Sequence, residues 1–172
     1  MKYIPMDDNQ ISVSEIVLGC MRINCMTLPE IASLVRVATD KGINFFDHSD
    51  VYSDGKCEEL FSQAMNFTSS ERDKIYIQTK CGIRKDIGGY DFSKEHIISS
   101  TEKSLKRLKT DYINFLLLHR PDPLFDPAEV AEAFQMLYES GKVRYFGVSN
   151  FNSMQTELIS KYARTSTKFM IG

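Results

Sequence analysis

No stretch of this chain approaches the roughly 18 consecutive apolar residues that a membrane-spanning helix needs. A helical span is therefore excluded. The opening MKYIPMDDNQ holds one lysine and no continuous apolar segment, which argues against a secretory signal and makes a cytoplasmic location the expectation. Charge of one sign is also missing: 21 basic and 23 acidic residues leave a net charge of -2, spread along the chain. Such a balance gives no field suited to nucleic acid or an anionic membrane surface, so neither partner is expected. The four cysteines, Cys20, Cys25, Cys57 and Cys81, share no C-x-x-C spacing, which points to reduced thiols rather than a disulfide or zinc framework. Cys81 follows Lys80, whose charge could activate it, although packing is the stronger reading. With three histidines, His48, His96 and His119, a metal-dependent hydrolase is the least favoured class. No low-complexity tract, long repeat or Pro/Gly/Ser-rich linker divides residues 1–172, so one domain is expected, and 42% hydrophobic content suffices for its core.

Short apolar runs alternate instead with amphipathic stretches, the pattern of βα units around a parallel sheet. EIVLGC, INFFDH, KIYIQTK, YINFLLLH and VRYFGVS read as five strands. LPEIASLVRVATDKG, CEELFSQAMNF, SKEHIISSTEKSLKRLK, PAEVAEAFQMLYESG and NSMQTELISKYART read as the helices that follow them. Pro29 and Pro127 suit first helical turns, Gly42 and Gly141 suit helix ends, and Ser93 suits an N-cap. Ile97, Thr101, Leu105 and Leu108 form the inner stripe of the third helix. Its charged run EKSLKRLK reads as a solvated face, and His96 as solvated with it. KYIPM and ISVSE flank a DDNQ turn as a hairpin, and STKFMIG could start a sixth strand.

Four polar side chains stand at expected strand ends or just after them: Asp47, Tyr52, Lys80 and His119. A phenol is a weak acid, with a pKa of about 10. An ammonium beside it favours the phenolate and eases proton release, and a carboxylate keeps that ammonium charged and in place. Gathered at one end of a sheet, the four could protonate a carbonyl. Singly, Tyr52 is an ordinary loop aromatic and Lys80 an ordinary surface lysine; the joint placement carries the functional reading. His48 with Asp50 could open a metal site, a weaker alternative.

INFFDHSDVYSDGKCEELF, YIQTKCGIR, DYINFLLLHRPDPLFD and GKVRYFGVSNF, in register from about Ile16 to about Arg164, resemble the aldo-keto reductases, and among them the bacterial YdhF-type oxidoreductases. The resemblance implies a (β/α)8 TIM barrel, plugged at its bottom by the hairpin, that reduces an aldehyde or ketone with NADPH, or alternatively NADH. It implies Tyr52 as proton donor, Lys80 as the group that eases its ionisation, Asp47 as the partner of Lys80, and His119 as the group that orients the carbonyl. It assigns Ser149 and Asn150 to the nicotinamide carboxamide, where Gly147 allows close approach, and Gly19, Met21, Arg22 and Asp47 to the cofactor cleft. A Ser-Asn helix cap would explain Ser149 and Asn150 equally well. No metal is needed, because hydrogen bonds polarise the carbonyl.

A (β/α)8 barrel takes about 250 residues and at least about 200, so five βα units and a stub are expected, an incomplete barrel. The family's later cofactor-binding segments would then be missing. An inert remnant or interaction module is the alternative reading, and self-association through open sheet edges is expected of either.

Overall fold

The structure is a computed structural model that describes residues 1–7, 10–163 and 167–170. The expected turn at Asp8 and Asn9, the helix end at Arg164 and Thr165, and Ser166, Ile171 and Gly172 lie outside the described residues.

The chain opens with an antiparallel hairpin, β1 (Tyr3–Met6) and β2 (Ile11–Ser14), with Tyr3 opposite Ser14. It continues through β3 (Leu18–Gly19), a 3-10 turn (Ile23–Cys25), α1 (Leu28–Asp40), β4 (Phe45–Asp47), α2 (Lys56–Met65), the short α3 (Ser69–Arg72) and β5 (Tyr76–Cys81). A second small hairpin, β6 (Ile83–Arg84) with β7 (Gly89–Tyr90), precedes α4 (Lys94–Leu108), β8 (Ile113–Leu118), α5 (Pro127–Glu139), β9 (Val143–Val148) and α6 (Ser153–Ala163). The five strands expected from the sequence form one parallel sheet in the order β3-β4-β5-β8-β9, the beginning of a barrel. Lys168–Met170 run along the outer side of β9, where Phe146 N–H donates to Lys168 O at 3.0 Å and Met170 N–H to Phe146 O at 2.7 Å. The suspected sixth strand thus exists as a bridge, and the β9 edge is less open than expected.

Local chemistry places each helix. The Glu30 carboxylate accepts from the Thr27 N–H at 2.7 Å and its hydroxyl at 2.8 Å, closing the start of α1. Ser93 accepts from His96 N–H at the start of α4, as its position foretold, and Asp126 accepts from Ala128 N–H ahead of Pro127. The stripe Ile97, Thr101, Leu105 and Leu108 is buried. Two readings need correction. Arg107, in the run expected to be solvated, turns to Glu58 at 2.7 Å, whereas Glu102, Lys103 and Lys106 do face solvent. His96 is half-buried, with Nε2 3.2 Å from Ser100 Oγ and Nδ1 3.8 Å from Asp91.

Side chains alternate across a strand, and that alternation sorts the sheet. Phe46, Ile77, Leu116 and Phe146 are buried on the helical side, where Phe46 meets Phe61 of α2 and Phe146 stacks on Phe134 of α5. The opposite, concave face starts from an aromatic floor: Phe45, Tyr76, Phe115 and Tyr145 contact one another with ring centroids 5.1 to 6.5 Å apart. The first hairpin closes this end, through Ser14 N–H to Asn44 Oδ1 at 2.7 Å and Tyr145 OH to Asp7 Oδ2 at 2.9 Å.

Candidate active site

On the concave face the next rung above Phe45 is Asp47, and above Tyr76 come Gln78 and then Lys80. Period two therefore carries the carboxylate and the ammonium to the C-terminal ends of adjacent strands. Lys80 is buried, and its Nζ donates to Asp47 Oδ1 at 2.6 Å, Asp47 Oδ2 at 2.7 Å, His48 O at 2.9 Å and Tyr52 OH at 3.2 Å. An ammonium has three hydrogens, so the carboxylate, one backbone carbonyl and the phenol use them all. Gln78 Nε2 donates to Asp47 Oδ1 at 2.6 Å and fixes the carboxylate from the other side.

Tyr52 reaches this point on a loop of unusual backbone. Ser53, Asp54 and Gly55 all have positive φ (49°, 54° and 85°), which turns the chain sharply into α2. Gly55 is required there, because a Cβ would lie 2.6 Å from Arg107 Nε. Arg107 in turn holds the buried Glu58, which also accepts from Thr79 Oγ1 at 2.6 Å, and Lys85 Nζ donates to Val51 O at 2.8 Å and Asp54 Oδ1 at 2.7 Å. Glu58 thereby joins α2 to α4 and β5, and Lys85 ties the tyrosine loop to the turn between β6 and β7.

His119 closes β8, its N–H donating to Cys81 O at 2.9 Å, and its ring meets Tyr52 edge-on at 6.0 Å. Burial first, then the charges of Lys80 and Arg120, push the imidazole down to about 4 against a smaller opposing effect of Asp47. At neutral pH the ring is uncharged. Its Nδ1 lies 2.9 Å from Ser49 Oγ. Ser149 and Asn150 follow at the end of β9, where Asn150 (φ 63°) donates from Nδ2 to His119 O and to Ser149 Oγ, both at 2.9 Å. Asn152, not Ser149 or Asn150, caps α6, accepting from Gln155 N–H at 2.9 Å. A Cβ at Gly147 would stand 2.8 Å from both Leu117 Cδ2 and Met170 O, so the glycine lets these two groups of the chain itself pack against β9.

Asp47, Tyr52, Lys80 and His119 are thus in contact or in sequence of contact, with Ser149 and Asn150 adjoining His119. Gly19 pairs with Asp47 in the β3–β4 register and is exposed with open space around it. Met21 and Arg22 are exposed at that same margin, across the sheet from Asn150. His48, the alternation partner of Asp47, points to the helical side and is fully buried edge-on to Phe61 at 4.6 Å, with neither ring nitrogen hydrogen-bonded among the described residues. Burial pushes it down to about 3. Among the described residues no group of three His, Cys, Asp or Glu side chains is arranged to hold a metal ion. Cys81 is buried, and desolvation with the nearby acids Asp50 and Glu58 raises its thiol well above the usual range, so the activating effect considered for Lys80 is overridden.

Sequence reasoning missed Ser49, Gln78, Glu58 and Arg107. Period two from Lys80 would have put Gln78 on the concave face. For the others the linking contacts span 49 to 70 residues.

A sequence model of the Aldo/keto reductase family matches residues 15–170. The chain is 45% identical over 159 residues to the uncharacterized oxidoreductase YcsN of Bacillus subtilis, covering 87% of this chain and 53% of that protein. It is 43% identical over 140 residues to the oxidoreductase YdhF of Escherichia coli, covering 78% and 47%. A 6-dehydroglucose reductase of Agrobacterium fabrum is 35% identical over 170 residues, covering 92% and 57%. The chain spans about half the length of these curated relatives.

Proposed function

The chain belongs to the aldo/keto reductase family, and from that premise we propose that it forms the catalytic part of an NAD(P)H-dependent reductase of aldehydes or ketones, with Tyr52 as proton donor. The observation that carries the proposal is the position of Lys80 Nζ, 2.6 Å from the Asp47 carboxylate and 3.2 Å from the Tyr52 hydroxyl.

Tyr52 gives its phenolic hydrogen to the carbonyl oxygen as that oxygen takes on negative charge. The Lys80 ammonium lies where it stabilises the phenolate left behind, and Asp47 keeps the ammonium charged and aimed. A neutral His119 offers a second hydrogen-bond donor to the same oxygen, which holds the carbonyl in place. The donor set at the end of β9 fits a nicotinamide carboxamide. Ser149 Oγ accepts from Asn150 and keeps its own hydrogen to give to the amide oxygen, and Asn150 Oδ1, without a partner among the described residues, can accept from the amide N–H. Held there, the reduced nicotinamide would supply hydride to the carbonyl carbon. NADPH is the first cofactor to test, with NADH as the alternative.

Loss of a positioned general acid typically costs about 10²–10⁴-fold in rate. Tyr52→Phe should therefore remove most NADPH oxidation driven by a short aldehyde; a variant as fast as the parent would overturn the assignment. A second reading, an inert interaction module, is favoured by the open β3 edge with Ile16 and Val17 exposed beside it. Absence of turnover in the parent across a panel of aldehydes and ketones would favour that reading.

A further inference from the structure

Whether His119 can donate to a carbonyl depends on which ring nitrogen carries its single hydrogen, and that depends on the residue facing Nδ1. Ser49 is fully buried, and its hydroxyl has one hydrogen to give. Three acceptors are within reach: His119 Nδ1 at 2.9 Å, Asp50 Oδ1 at 3.3 Å and Lys80 O at 3.4 Å. Bonds from a hydroxyl weaken beyond about 3.0 Å, so the imidazole nitrogen is the best-placed acceptor. Burial and Glu58 push the Asp50 carboxyl up to about 7, which weakens it as a competitor. Nε2 has no hydrogen-bond partner among the described residues and is not closed off from solvent.

We propose that Ser49 is a positioning residue: its hydroxyl donates to His119 Nδ1 and so keeps the ring hydrogen on Nε2, the open side of the ring, where a substrate carbonyl oxygen can receive it. The catalytic part of this inference rests on the reductase reading; the tautomer part does not. A carbonyl oxygen has two lone pairs, so it can accept from Tyr52 OH and His119 Nε2–H together. The Ser49 hydrogen bond thus sets the second of two donors.

The test is a long-range proton–nitrogen NMR spectrum of the His119 ring in the full chain at neutral pH, recorded for the parent, Ser49→Ala and Ser49→Thr. The parent should carry its hydrogen on Nε2, Ser49→Ala should become a mixture of tautomers, and Ser49→Thr, which keeps the hydroxyl, should restore the parent pattern. With a reducible aldehyde, Ser49→Ala should lower kcat about 10-fold, roughly the worth of one hydrogen bond, with little change in KM. A parent spectrum with the hydrogen on Nδ1 would overturn the proposal even if neither variant folds, and so would an unchanged tautomer in Ser49→Ala. A parent with the Nε2 hydrogen but no carbonyl reduction would support the tautomer assignment while removing the reductase reading.

Discussion

A single ammonium group shared by a carboxylate, a backbone carbonyl and a phenol makes Lys80 the residue on which local stability and, on the proposed reading, the chemistry depend. Removing one partner of a buried ion pair typically costs about 3–5 kcal/mol, because the other charge stays desolvated. Lys80→Met should therefore destabilise the chain by about 3 kcal/mol in urea unfolding and abolish reduction. Lys80→Met with Asp47→Leu should recover most of that stability and none of the activity; a double variant as unstable as the single one would argue against the pair being the cause. The two neutral histidines make a separate, pH-dependent contribution. His48 and His119, pushed down to about 3 and about 4 from an ordinary value of 6.5, bind fewer protons folded than unfolded below about pH 6.5. Stability should fall as pH drops through that window. Asp50, pushed up to about 7 from 3.8, acts oppositely, and its contribution is lost as pH rises through 7. The His48 ring makes no hydrogen bond among the described residues, so His48→Leu, which keeps the backbone bonds, should raise Tm at neutral pH and flatten the acid limb. An equally steep limb between pH 6.5 and 4.5 would contradict this.

The elements themselves were largely legible. Apolar runs bounded by turn residues placed all five parallel strands, and Pro29, Ser93 and Pro127 placed three helix starts, because these signals are local. The hairpin β6–β7 was not legible: two-residue strands carry no period. Its geometry depends on Gly82, whose φ is 103° and where a Cβ would lie 2.1 Å from the buried Phe92 ring. Gly82→Ala should cost about 2–4 kcal/mol through strain and displacement of Phe92. It should also loosen the segment that brings Lys85 to the Tyr52 loop, so KM for the carbonyl should rise along with the loss in Tm. A variant of parental Tm would mean the hairpin relaxes freely. Ser49 and Arg107 escaped the sequence reading for a related reason, since each acts through a partner on another strand or helix. Asp47, Tyr52, Lys80 and His119 stood out because strand ends and family motifs marked them together, whereas Gly19, Met21, Arg22, Ser149 and Asn150 were named through the resemblance.

On the scale of the molecule, period-two alternation stacks the concave face in rungs, from the aromatic floor near the first hairpin, through Asp47, Gln78 and Leu117, to Lys80, His119 and Ser149. The polar cluster stands on an apolar base and draws its residues from four neighbouring strands. Cofactor binding makes a different demand. On the proposed reading Ser149 and Asn150 would serve the nicotinamide end, while Arg22 is exposed at the β3 margin on the other side of the sheet. Anion binding needs backbone amides or cations arranged for it, and a dinucleotide carries its charge on the pyrophosphate and any 2′-phosphate. A polypeptide of these 172 residues alone should therefore bind NADPH more weakly than micromolar. The β3 edge, with Ile16 and Val17 exposed beside it, should also drive concentration-dependent association. Isothermal titration with NADPH, with light scattering over a range of concentrations, checks the two expectations at once. Micromolar or tighter binding by a monomer would overturn both, and would mean that the five-stranded unit holds the phosphates through groups other than those at its strand ends.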